Sequence, residues 1–351
     1  MPQLAVRTRS GRVESLHDGY ICVSDPDRNI VYSIGSPDIS CFLRSAGKPI
    51  YAVALVDSGA MEKFGLTFRD LAMFCSSHQG RAYQRRIILS ILKKIGCTER
   101  DLDCGHKYPE DREVRDALIM LCKRPTPIFS NCSGKHTGFL ALCKYYGYPV
   151  KGYVRPEHPV NLLMLKTMTR LLECDESRII TGTDGCSLPT YMLTIRDIAW
   201  LYARLACGHG SGHTYDDCLG IIRDAIIQYP DVFRGKGTFC TELIRHTKGR
   251  VIGKLGAEGL YCMAIPEKQL GVCIKMSDGH PWSSFAVAAR VLEELEVLDA
   301  DTFRKLEKWT LPHIQNDKGE DVGYIHPVFS LLEQKTGEYE PGCIYPQNHA
   351  K

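Results

Sequence analysis

The order of two hydrophobic periodicities constrains this chain more than any other feature. Short runs rich in β-branched and aromatic residues cover 4–9, 20–24 and 30–34 and read as strands. Asp25-Pro26-Asp27-Arg28-Asn29 between the last two predicts a hairpin turn. The character then changes. Residues 67–74, 82–95, 111–122, 138–146, 159–173, 194–206 and 215–229 carry apolar side chains at helical spacing, and Thr67 to Asp70 can cap the first. Strand character returns at 250–253, 260–265 and 270–276, followed by an amphipathic helix over 284–295. The expected class is α/β in the α+β sense. Terminal strands meet in one antiparallel sheet, and a helical lobe is inserted between them. One domain over 1–300 is expected, with sheet from about 1–40 and 250–297 and lobe over about 60–250. Residues 301–351 read as an extended tail packed on the body or on a second subunit. A site belongs where lobe meets sheet.

Composition narrows the setting. Of 351 residues, 44% are apolar, enough for a large core, and the net charge of +3 is scattered. Neither a nucleic acid nor a membrane is an expected partner. The sixteen cysteines are spread along the chain without a C-x-x-C, and Met1-Pro2-Gln3-Leu4 opens no leader-like run. Reduced thiols and a cytoplasmic location are expected.

Arg44-Ser45-Ala46-Gly47-Lys48-Pro49 holds a Ser-x-x-Lys pair ahead of a continuous apolar run over 50–56. Residues i and i+3 of a helical turn share a face, so the Lys48 amine can approach the Ser45 hydroxyl. A buried lysine loses its proton more easily and can serve as the base a serine nucleophile needs. Ser76-Ser77-His78-Gln79-Gly80 offers further hydroxyls at a turn, or a plain helix cap. Lys254-Leu255-Gly256 lies between two strands. Ser-x-x-Lys, a second hydroxyl loop and a strand-borne Lys-x-Gly follow the order of penicillin-binding acyl-transfer enzymes, with Leu255 in place of the middle Thr or Ser. Ser277-Asp278-Gly279-His280 reads as a turn. Asn131-Cys132-Ser133-Gly134-Lys135-His136 runs into a helix, and Thr183-Asp184-Gly185-Cys186 is a strand-end loop. Cys132, Lys135, Asp184 and Cys186 form either a zinc site, a pair of buried thiols, or a Lys135–Asp184 ion pair.

Six stretches together, RSAGKP, SSHQG, NCSGKHTGFLA, EHPV, TDGCSLPT and KLGAEG, resemble the signature segments of the rhizobial-type, class 3 L-asparaginases over about 10–297. The resemblance implies a fold similar to serine β-lactamases and serine-dependent glutaminases. It implies hydrolysis of L-asparagine to aspartate and ammonia by a homodimer. It implies catalytic pairs Ser45–Lys48 and Ser77–Lys254, and one zinc ion held by Cys132, Lys135, Asp184 and Cys186. Gln79 and Arg81 stand where relatives often carry Ser and an acidic residue.

The expected mechanism is an acyl-enzyme. Lys48 takes the Ser45 proton, main-chain N–H groups at the helix start stabilise the oxyanion, and Ser77 with Lys254 relays the proton to ammonia. Arg44, Lys135 and Asp184 are expected to hold the substrate's charged groups. The rivals are a glutaminase or β-lactam-reactive hydrolase, and a non-catalytic amino-acid sensor.

Overall fold

The computed structural model describes residues 1–210, 212–331 and 335–336. Among the described residues, eleven strands build the two larger sheets, beside a two-stranded pair of Phe329–Ser330 with Lys335–Thr336: β1 (Gln3–Arg9), β2 (Arg12–Ser24), β3 (Ile30–Ile34), β4 (Ser40–Phe42), β5 (Ile180–Thr183), β6 (Pro189–Thr194), β7 (Ile252–Leu255), β8 (Leu260–Ile265), β9 (Leu270–Met276), β10 (His313–Gln315) and β11 (Asp321–Pro327). The main sheet runs β10-β11-β1-β2-β9-β8-β7, with β3 paired to β2, and its neighbours are antiparallel. The expected hairpin over Asp25–Asn29 joins β2 and β3. Chain ends meet as expected, β2 against β9 from Gly19↔Met276 to Ser24↔Gly271.

Side chains alternate across this sheet and split the core in two. Ile21, Val23, Tyr261, Met263, Val272 and Ile274 face the helix Pro281–Glu294, with Phe285, Ala286 and Ala289. Cys22, Cys262 and Cys273 stand opposite one another on the other face, toward the lobe. Small side chains there admit the helix Ile195–Cys207. At Gly271 a Cβ would lie 2.0 Å from the Ala199 carbonyl oxygen, so only glycine permits that approach.

Lobe helices follow the periodicity closely: Phe68–Phe74, Ala82–Lys94, Arg112–Met120, Ser133–Tyr146, Pro159–Leu172, Ile195–Cys207 and Asp216–Gln228. Thr67 and Asp70 form the expected reciprocal cap. The helix Lys48–Asp57 is buried over its first eight residues, as a run without a polar face requires.

Two features depart from expectation. The segment after 300 is not an extended tail where it is described. It forms the helix Ala300–Lys305 and then β10 and β11, and β11 pairs with β1 from Ala5↔Pro327 to Arg7↔Ile325. Leu306, Trp309 and Ile325 are buried in the core beside the Pro281–Glu294 helix. The rest of that expected tail, 332–334 and 337–351, lies outside the described residues. The second departure is a small sheet, β4-β6-β5, which joins two strands of the lobe segment to one ahead of it. Its register, Phe42↔Met192 and Thr183↔Pro189, brings the ends of β4 and β5 to the same edge.

Candidate active site

A cavity of about 520 Å³ opens where lobe meets sheet, lined by Arg44, Ser45, Ser77, Asn131, Cys132, Asp184, Cys186 and Leu255 among others. Three architectural devices position its side chains. The apolar helix Lys48–Asp57 drives Lys48 into the interior, with no exposed surface left. The edge strand β7 places Lys254 opposite Cys262 on the lobe face, also fully buried. The small sheet delivers Arg44 and Asp184 from neighbouring strand ends.

The two lysines converge on one hydroxyl. Lys48 Nζ lies 2.9 Å from Ser77 Oγ, and Lys254 Nζ lies 3.0 Å from the same atom. Lys48 also donates to the carbonyls of Ser76 at 2.8 Å and Asn131 at 3.1 Å, and Lys254 donates to that of Leu255 at 3.0 Å. The expected Ser77–Lys254 pair is therefore present. The expected Ser45–Lys48 hydrogen bond is not. Arg44–Gly47 forms a 3₁₀ turn, the Lys48 side chain bonds Ser77, and Ser45 lines the cavity.

Burial depresses both amines, because a low-dielectric interior disfavours a proton. Lys48 is lowered chiefly by burial and further by Lys135, against the opposing pull of Cys132. Burial, and then the charge of Lys48, lower Lys254 to about 7. A neutral amine beside a hydroxyl is what removal of the serine proton demands. His78, buried beneath them, is pushed down to about 3 by burial and bonds Ser133 Oγ through Nε2 at 2.8 Å. It is a neutral strut.

Arg44 and Asp184 bring charge to the cavity lining, with Lys135 buried behind Asp184. Arg44 has φ +46°, a left-handed conformation that costs a non-glycine residue about 1–3 kcal/mol. It is held there by its N–H to Thr190 Oγ1 at 3.1 Å, and its Nε reaches Asp184 Oδ1 at 2.6 Å. Lys135 Nζ lies 3.3 Å from Asp184 Oδ2. Burial would raise the Asp184 carboxyl, but Lys135 and Arg44 hold it well below the usual carboxylate range. Burial would likewise lower Lys135, but Cys186, Cys132 and Asp184 outweigh it and keep its amine protonated. A hydrogen bond from Cys132 brings Cys186 down to about 5, and the same contact raises Cys132 to about 12.

The ligand atoms of Cys132, Asp184 and Cys186 lie within 4.8 Å of one another, and all three residues are buried. Two thiols and a carboxylate are donors that zinc accepts. Lys135 Nζ stands beside them, 3.3 Å from Asp184 Oδ2, and as a ligand it would first have to lose its proton. The fifteen described cysteines are free thiols. Ser277–His280 is the turn expected, with one addition. Asp278 bonds His17 at 2.5 Å, and the His280 side chain caps the following helix.

Sequence reasoning singled out neither Glu110 nor Arg234, both of which line the cavity. No local pattern marks them, because each enters from a loop far away in sequence.

A buried hydroxyl held between two buried amines whose protons burial disfavours, in a cleft also lined by Arg44 and Asp184, is equipment for nucleophilic hydrolysis of a small charged molecule. Residues 5–327 match the family model described as L-asparaginase II, and the chain belongs to that family. It is accordingly a hydrolase acting on amides, with a small-molecule substrate. No protein of curated function matches the chain. Among solved structures it is similar to a β-lactamase from Mycobacterium bovis, at 14% identity over 79% of this chain and 94% of that one, TM-score 0.43. It is also similar to a candidate β-lactamase from Bacteroides dorei, at 13% identity over 74% and 84%, TM-score 0.40. No helix among the described residues is long and apolar enough to cross a membrane.

Proposed function

We propose that the protein hydrolyses L-asparagine to L-aspartate and ammonia through a serine acyl-enzyme. The observation that carries this is the Ser77 hydroxyl within hydrogen-bond reach of both buried lysines, Lys48 and Lys254. Arg44, Lys135 and Asp184 supply opposite charges for the substrate's α-carboxylate and α-amino groups. Ser45 attacks the side-chain carbonyl from the cavity lining. Its proton passes to Lys48, and Ser77 with Lys254 carries it to the departing ammonia. Water then repeats the sequence and releases aspartate. A second assignment has direct geometric support. Ser77, already bonded to a base, attacks, and Ser45 assists.

Cys132, Asp184 and Cys186 would hold a zinc ion, and Lys135 could join them only after losing its proton. When bound, the ion supplies a fixed positive charge beside the substrate's polar groups. A cytoplasmic homodimer completes the reading, on family resemblance. Ammonia release from asparagine, glutamine and a chromogenic β-lactam tests the substrate class. Absence of ammonia with either amide would refute the reading. Mass spectrometry of acylated Ser45→Ala and Ser77→Ala tells the two nucleophiles apart.

A further inference from the structure

Arg234 follows the short helix Pro230–Phe233 and is largely buried, its side chain 11% exposed. One guanidinium nitrogen donates to the main-chain carbonyl of Ser77, and the other reaches Glu110 Oε2 at 2.6 Å. Glu110 Oε1 in turn accepts from Asn131 Nδ2 at 2.6 Å. The Asn131 carbonyl accepts from Lys48 Nζ at 3.1 Å, and Lys48 Nζ reaches Ser77 Oγ at 2.9 Å. The five residues close a ring of hydrogen bonds, each entering from a different segment of chain. The Ser77 main chain is fixed at two points by one segment, since its N–H also donates to the Phe233 carbonyl at 3.2 Å.

We propose that Arg234, paired with Glu110, is a positioning residue of the acyl-transfer centre, fixing the Ser77 main chain so that its hydroxyl stands between Lys48 and Lys254. This rests on the reading of the site as a serine hydrolase. A backbone carbonyl could be satisfied by water or any neutral donor. An ion pair between largely buried Arg234 and exposed Glu110 is a costlier alternative, because desolvating the guanidinium offsets part of the attraction. What the pair adds is rigidity, through a planar fork bonded in two directions, and a cation beside the amines. The groups that act on Lys254 are Lys48 and Arg234, which disfavour its proton, and Cys240 and Cys132, which favour it. The Phe233 ring lies 5.6 Å from the amine. Position and charge can be separated by substitution. Arg234→Lys keeps the charge and loses the fork, whereas Arg234→Gln loses both.

The experiment measures labelling of the site serine by an alkyl fluorophosphonate, which bonds the serine oxygen and expels fluoride. Rates are read by intact mass from pH 5 to 9 for wild type, Arg234→Lys and Arg234→Gln, beside kcat and KM for asparagine. Thermal melts followed by circular dichroism check the fold. Both variants should label about 10- to 100-fold more slowly than wild type, with kcat falling more than KM. The acid limb of Arg234→Gln should move up by at least about half a pH unit, while that of Arg234→Lys stays in place. Wild-type labelling rates in a folded Arg234→Gln overturn the proposal. So does equal slowing of both variants without movement of the limb, which marks scaffolding alone. A wild type that labels but releases no ammonia refutes the asparaginase reading and leaves this test intact. A wild type that does not label at all overturns both.

Discussion

Replacing Lys254 with methionine should make the protein more stable at neutral pH and inactive. Methionine keeps an unbranched stem of similar size and removes only the amine. In the folded protein that amine sits fully buried with its pKa lowered from 10.5 to about 7. The difference of about 3.5 in pKa, at about 1.4 kcal/mol each, corresponds to ~5 kcal/mol. The sign follows from proton counting. Between pH 7 and 10.5 the unfolded chain binds a proton that the folded one does not, so stability rises with pH across that window. Below about pH 7 the full penalty is present. Methionine removes it, but leaves the Leu255 carbonyl without the bond Lys254 gave it, a loss of about 1–2 kcal/mol. Ser77 keeps its bond to Lys48. A net gain of about 3 kcal/mol is expected at pH 6 to 7. The excess over wild type should shrink by about 1.4 kcal/mol per pH unit above 7. Urea unfolding at pH 6, 7, 8 and 9 measures both quantities, and an ammonia assay reads the lost activity. A variant less stable than wild type at pH 6, or an excess that does not change with pH, refutes the account of Lys254 as a buried neutral base.

Amide hydrolysis in the wild type should fall about tenfold per pH unit below 7, since Lys254 must be neutral to accept a proton; a rate maximum near pH 5 contradicts this. Lys48→Arg should be inactive, because a guanidinium stays charged at working pH; full turnover by that variant removes Lys48 as the base. Gly138→Ala should destabilise the fold by about 1–3 kcal/mol despite its better helix propensity, since the new Cβ would lie 1.9 Å from ring atoms of buried Phe74; a melting temperature at or above wild type argues against that packing. Zinc should appear in elemental analysis of unchelated protein, and its removal should weaken asparagine binding more than it lowers the melting temperature. Zinc-free protein with normal turnover leaves Lys135–Asp184 as a plain ion pair.

Local chemistry made much of this chain legible. Strand runs at both ends, helical spacing from 67 to 229, and the Thr67–Asp70 cap each express one or two turns of backbone, and the elements formed accordingly. That Ser77 meets Lys254, and that Cys132, Asp184 and Cys186 share one place, could also be anticipated, because the order of short motifs resembles that of a known family. Which partners those residues choose was decided only in three dimensions. Ser45 and Lys48 share a motif, yet Lys48 bonds Ser77, which enters from another loop. Lys135 is drawn into an ion pair by Asp184, a carboxylate that another loop supplies. β11 joined the main sheet because β1 offered it an unpaired edge, which no pattern within 301–351 records. Arg234 and Glu110 carry no motif at all; their place beside Ser77 is set by the fold that brings residues 77, 110, 131 and 234 together. Periodicity is a property of neighbours along the chain, whereas charge state and hydrogen-bond partners depend on what burial places across the cavity.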